Sequence, residues 1–184
     1  MDKMRAGIFR FYKGKLQNQL TLREESCFIP IAKIIAMIAE AFARYFHFIS
    51  ILTMSFAIAG EAWLIRPRLQ RRTVQQLFVL DGVYGLSALA IVGVGLLLWF
   101  GVGKPAEYYT SNWLFHLKLG LFTALGLLSI FPTVFFFKNR KGQETDWVEI
   151  PVRIRLLIRL ELLLLLFIPL CATLMARGFG QVSG

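Results

Sequence analysis

Four long apolar blocks constrain this chain more than anything else in it. They run from about Arg44 to Ile65, Leu77 to Gly101, Trp113 to Phe137 and Leu156 to Met175, and a helix needs roughly 20 residues to cross the hydrocarbon of a bilayer. The periodicity of a soluble amphipathic helix does not produce such blocks. In hydrocarbon every backbone N–H and C=O must be satisfied within its own segment, which for isolated spans leaves the helix. The expected fold is therefore all-α: an integral membrane four-helix bundle over residues 44–177, a short tail over 178–184, and a basic amphipathic helical extension over 1–43. Composition agrees, with 57% hydrophobic and only 17% charged residues, against about 25% charged in a soluble domain.

The net charge of +10 does not point to nucleic acid, because of where it sits. Arg66, Arg68, Arg71 and Arg72 fill one connection, and Lys138, Arg140, Lys141, Arg153 and Arg155 fill another. In the connection between them Lys104 and Glu107 cancel. Basic loops stay in the cytoplasm, so loops 66–76 and 138–155 are expected inside and loop 102–112 outside. The partners implied are the lipid bilayer and anionic headgroups against the basic rim. The extension breaks the charge rule, since it carries Lys3, Arg5, Arg10, Lys13, Lys15, Arg23 and Lys33 on the side expected to be external. A helix lying on the membrane surface is the favoured solution; a fifth span over 28–43 and a natural start at Met37 are the alternatives. Cys27 and Cys171 are too few for a disulfide framework, and without a CxxCH motif covalent haem attachment by the usual route is not expected.

The only two histidines, His47 and His116, each lie about one turn inside the start of a span, the first and the third. Spans of odd rank cross in the same direction, so both imidazoles belong to one leaflet, the outer one on the topology above. An ionisable group there usually has a partner or a role. At 100° per residue His47, Ser50, Met54 and Glu61 share one side of the first helix, continued outward by Glu40 and Arg44. Such a stripe should face the bundle interior. On the third helix His116, Gly120, Thr123 and Leu127 share a side, and Lys118 lies about 200° from His116. Lys118 either snorkels to the headgroups or presents a cation to an anionic ligand. Gly82, Gly85 and Gly93 are expected to form a close-packing face of the second helix. Glu61, Asp81 and Glu161 fall near the cytoplasmic ends beside Arg159, where an ion-pair network is expected, with a proton relay as the functional alternative. No nucleophile–base–acid triad, phosphate loop or zinc-ligand spacing is present.

Arg44-Tyr45-Phe46-His47-Phe48, Leu80-Asp81-Gly82-Val83-Tyr84-Gly85, Asn112-Trp113-Leu114-Phe115-His116-Leu117-Lys118-Leu119, Ser129-Ile130-Phe131-Pro132-Thr133, Leu160-Glu161-Leu162 and Met175-Ala176-Arg177-Gly178 together resemble a family of bacterial inner-membrane proteins of unknown function. The resemblance covers about residues 40 to 180. It implies a compact four-helix protein of the bacterial inner (plasma) membrane and no established activity. A looser likeness joins His47, Pro67-Arg68-Leu69 and the Trp113–Leu119 stretch to the four-helix haem-b membrane proteins that oxidise protoporphyrinogen in bacteria. This chain has one extra residue between Trp113 and His116. That likeness implies His47 as a haem ligand, with His116 and Lys118 nearby.

The leading functional expectation is a haem-b-binding redox bundle with an unidentified redox partner. His47 would be an axial ligand and His116 the second ligand or a distal group, and Lys118, Arg44 and Arg177 would pair with propionates. The alternatives are a small-solute or ion transporter lined by His47, Ser50, Met54 and Glu61, and a non-catalytic accessory subunit. Four helices leave a narrow path for a transporter unless the chain forms a homo-oligomer. Whether the protein is an enzyme stays open at this point.

Overall fold

A computed structural model describes residues 31–102 and 106–180. The chain divides into two compact units, Met1–Ala39 and Glu40–Gly184. Of the first, residues 31–39 are described, and they are helical; of the surface helix expected over 1–43, residues 31–43 are helical and 1–30 lie outside the described residues. The elements are α1 (Ile31–Leu64), β1 (Arg68–Gln70), α2 (Arg71–Leu97) running into a π-helical turn (Leu98–Val102), the short α3 (Ala106–Thr110), α4 (Trp113–Asn139), β2 (Trp147–Glu149) and α5 (Val152–Ala176). Among them α1, α2, α4 and α5 are long and apolar enough to cross a membrane, with mean hydropathy of 1.5 to 2.2 in the relevant windows. The expected all-α four-helix bundle is what the chain forms.

The boundaries differ from those expected. Helix α1 is already formed at Ile31, well before Arg44, and α2 begins at Arg71 rather than Leu77. Apolar length locates the hydrocarbon-spanning part, but a helix continues past it while its backbone ladder closes and its arginine stems reach the polar region. The loop expected over 66–76 therefore shrinks to a few residues, and these form a strand. β1 pairs antiparallel with β2 (Arg68↔Glu149, Leu69↔Val148, Gln70↔Trp147). Leu69 and Val148 point inward between exposed neighbours, and with buried Ile65 and Ile150 they join the core. This small ribbon ties the two basic connections together at one end of the bundle.

Side-chain contacts fix the helix register. A Cβ on Gly60 would meet Leu80 at 3.3 Å, and one on Gly95 would meet His47 at 3.6 Å, so α1 and α2 run antiparallel. The Phe78 and Phe137 rings lie 6.1 Å apart and those of Trp99 and Phe115 4.8 Å apart, so α2 and α4 are antiparallel along their whole length. Phe115 and Leu114 share a small cluster with Met175, pairing the start of α4 with the end of α5. Lipid tails are as apolar as leucine, so packing and polar contacts hold such helices together. The axis is filled by Met54, Leu77, Leu125, Phe136 and Ile158, each under 2% exposed. A Cβ on Gly82, Gly85 or Gly93 would meet nothing within 4 Å. The expected close-packing glycine face is thus turned away from the bundle core, because Leu77, Asp81, Tyr84 and Ser87 occupy the buried side of α2.

Candidate functional site

The buried polar groups fall into two layers. The first lies toward the ribbon end. Helix α1 supplies Glu61, α2 supplies Asp81 and Tyr84, and α5 supplies Glu161, all 4% exposed or less. From α4, Thr133 Oγ1 lies 2.9 Å from Asp81 Oδ1. Glu61 lies within electrostatic reach of both Asp81 and Glu161. The Tyr84 hydroxyl is directed at the Glu161 carboxyl, whereas Glu61 Oε1 has no hydrogen-bond partner among the described residues. These residues meet because the antiparallel register sets Glu61 against the Leu80–Asp81 turn and sets Asp81 against Thr133.

The expected ion-pair network is absent here. Among the described residues the ion pairs join Arg44 to Glu40 and Arg71 to Asp146, and neither touches the layer. Arg159 is exposed, being two positions from buried Glu161 and so on the opposite side of α5. The basic residues of the connections act elsewhere. Arg71 donates to the Asn139 carbonyl at 2.8 Å and to that of Lys141, and Gln75 donates to the Arg140 carbonyl at 3.1 Å. The Arg140 guanidinium lies 4.5 Å from the centre of the Phe78 ring and 4.4 Å from that of Phe137.

The second layer lies toward the other end, fourteen residues back along α1 from Glu61, or roughly 21 Å. His47 is half-buried beside Gly95 of α2, and the polar contact of its ring is with the Ile91 backbone. Lys118 of α4 is the charge nearest in effect to His47, and buried Cys171 of α5 lies beside Lys118. From the π-helical turn comes Trp99, whose Nε1 is buried without a partner. Between the layers sit Met54, Ile91, Leu125 and Leu165, together with Ser87, which is buried and donates to the Val83 carbonyl.

The stripe expected on α1 is partly in the core: Met54 and Glu61 are buried, His47 and Ser50 half-buried, and Ser50 satisfies itself on the Phe46 carbonyl at 2.8 Å. Arg44 is exposed and held by Glu40. Arg177 is exposed at the C-cap of α5. His116 is exposed, with Nε2 3.0 Å from the Thr110 carbonyl oxygen. The α4 residue directed at His47 is therefore Lys118, as the 200° offset from His116 requires. Among the described residues, no three His, Cys, Asp or Glu side chains gather closely enough to hold a metal ion.

Sequence reasoning assigned no role to Tyr84, Thr133, Trp99 or Asn112. Asn112 is fully buried; its side chain accepts from Leu114 N at 2.9 Å as the N-cap of α4 and donates to the Phe179 carbonyl at 2.8 Å. An asparagine just before an apolar block is a readable N-cap signal. The other three emerge only from the register between helices.

A membrane protein of four apolar helices with two polar layers in its interior is the class these features define. Residues 39–180 match the family described as predicted membrane protein (DUF2214), and the chain belongs to that family. No curated protein and no solved structure matches it, so the likeness to protoporphyrinogen-oxidising haem proteins has no counterpart in these comparisons.

Proposed function

We propose that this bundle moves protons across the membrane, with Glu61, Asp81 and Glu161 as the proton-binding station. The observation that supports this reading is three buried carboxyl groups from three helices with no ion-paired cation among the described residues. Unpaired buried carboxylates are strongly disfavoured, and three in one layer also repel one another, so such a layer takes up protons. Hydrogen-bond accounting points the same way. Thr133 Oγ1 has one proton and two acceptors in reach, Asp81 Oδ1 at 2.9 Å and the Ser129 carbonyl at 2.9 Å. Both contacts are satisfied when Asp81 carries a proton and donates to Oγ1. Intramembrane ionisable groups of this kind mark proton and ion paths. The densely packed axis leaves no passage for a larger solute.

By the basic-loop rule the carboxyl layer faces the cytoplasm of a bacterial inner membrane and His47 faces outward. Exposed Arg66, Arg72, Lys138, Lys141 and Arg153 surround the ribbon end and suit anionic headgroups.

The test is pyranine-reported proton flux in liposomes carrying the purified chain, driven by a potassium–valinomycin potential. Flux above protein-free liposomes, reduced at least tenfold by Glu61→Gln and by Glu161→Gln, is the expected result. Wild-type flux equal to that of empty liposomes overturns the reading.

A second reading keeps haem b, with His47 as sole axial ligand; the observation favouring it is a half-buried imidazole facing a glycine on the next helix. His116 would have to leave Thr110 to join it. A dithionite-reduced minus oxidised spectrum of the same preparation decides this: a haem-b band lost in His47→Ala supports it, and a colourless protein from haem-replete cells removes it.

A further inference from the structure

The layer opposite the carboxyl station has the reverse chemistry. Lys118 lies within a membrane-spanning helix, half-buried and turned toward His47 and Cys171. Among the described residues no carboxylate pairs with it. Its one electrostatic contact of note is the face of Phe115, with Nζ 5.3 Å from the ring centre. The carboxyl layer is no remedy, because Thr133 lies fifteen residues further along α4, or roughly 22 Å away.

Two more polar groups converge on the same place. Phe115, which supports Lys118, also receives the Trp99 ring edge-on at 4.8 Å, and Trp99 Nε1 is a buried donor with no acceptor. The His47 imidazole, held by the Ile91 backbone, lies within electrostatic reach of Lys118. Trp99 is carried by the π-helical turn, a rare geometry found mostly as single turns and frequently at functional sites. An indole N–H is donor only and an ammonium is donor only. A neutral acceptor would satisfy Trp99 but leave the ammonium uncompensated, whereas an oxyanion answers both.

From this geometry we infer that Lys118, Trp99 and His47 form a binding site for an anionic oxygen group of carboxylate or phosphate type. The site stands apart from the proton reading and does not require it. Lys118 provides the charge, Trp99 Nε1 and the His47 ring provide directed hydrogen bonds, and Phe115 forms the apolar floor. The group belongs either to a small soluble anion or to a lipid headgroup, since Lys118 is only five residues from the start of α4, roughly 7.5 Å.

The experiment uses the full chain with Trp63→Phe, Trp113→Phe and Trp147→Phe, leaving Trp99 as the sole indole, in phosphatidylcholine nanodiscs. Sodium acetate and sodium phosphate are titrated at constant ionic strength against sodium chloride while Trp99 emission is followed. A parallel sample in phosphatidylglycerol-containing nanodiscs receives no added oxyanion. A saturable emission change with acetate or phosphate supports a soluble ligand, and a change confined to the phosphatidylglycerol discs supports a headgroup. In either case Lys118→Met weakens the response at least tenfold and Lys118→Arg retains it; Lys118→Gln serves should Lys118→Met fail to fold. No response in either arm, or one unchanged by loss of the Lys118 charge, overturns the inference.

Discussion

Asp81 and Thr133 show how one hydroxyl can report on the state of a buried carboxyl group. If Asp81 is the donor in that pair, an amide can replace it, because an Asn side chain also presents an N–H to Thr133 Oγ1. Asp81→Asn is then expected to change the unfolding free energy in detergent by less than about 0.5 kcal/mol, within the range of a conservative change. Thr133→Val keeps the shape and removes the bond, and interhelical hydrogen bonds in membranes are worth about 0.6 kcal/mol on average and up to about 1.7. A loss of about 1 kcal/mol is expected, read from denaturant unfolding of the purified protein. An Asn amide can also accept from Thr133 through its oxygen, so the cost of Asp81→Asn reads the loss of carboxylate charge rather than the direction of the bond. A cost as large as that of Thr133→Val would mean that the layer holds its charge. The carboxyls themselves were legible in the sequence as acids inside apolar blocks. Their lack of cations was not, because one-dimensional proximity to Arg159 conceals that residues two apart on a helix face opposite ways.

At the level of elements, the ribbon end depends on one glycine. Gly142 has φ +130°, and a Cβ there would lie 2.6 Å from Arg71 Nε. Arg71 is the side chain that closes the C-terminus of α4, donating to the carbonyls of Asn139 and Lys141 and pairing with Asp146 at 3.4 Å. Gly142→Ala therefore strains the backbone and displaces this arginine together, an expected cost of about 1–3 kcal/mol visible as a lower Tm by circular dichroism. Gly82→Ala and Gly93→Ala, which meet nothing within 4 Å, are the matched controls and should leave Tm unchanged or raised. An unaltered Tm for Gly142→Ala would mean that the loop adopts another path. Hydropathy identified the four spans because solvation in hydrocarbon is what it measures. The strand pair escaped notice because a three-residue strand has almost no period of its own; Leu69 and Val148 are recognisable as inward-facing only once the two connections are side by side.

Across the bundle interior, among the described residues, carboxyl groups gather at one end and cationic or N–H groups at the other. Glu61, Asp81 and Glu161 lie toward the ribbon, while Lys118, His47 and Trp99 lie toward the π-helical turn, with an apolar axis of Met54, Leu125 and Leu165 between. The direction proposed for this polarity in the membrane rests on the basic connections alone. With Cys27→Ser and Cys171→Ser as background, a single thiol introduced by Glu107→Cys or Glu144→Cys, both at exposed positions, reports each end. A membrane-impermeant maleimide applied to intact bacterial cells is expected to label the Glu107→Cys protein directly and the Glu144→Cys protein only after lysis. That outcome sets the carboxyl station on the cytoplasmic side, so protons arriving from outside would pass the cationic layer before reaching their acceptors. The opposite labelling pattern would overturn the assigned orientation and expose the carboxyl end to the exterior. It would also show that the basic residues of the ribbon end, several of them engaged with Asn139, Phe78 and Phe137, serve packing rather than topology.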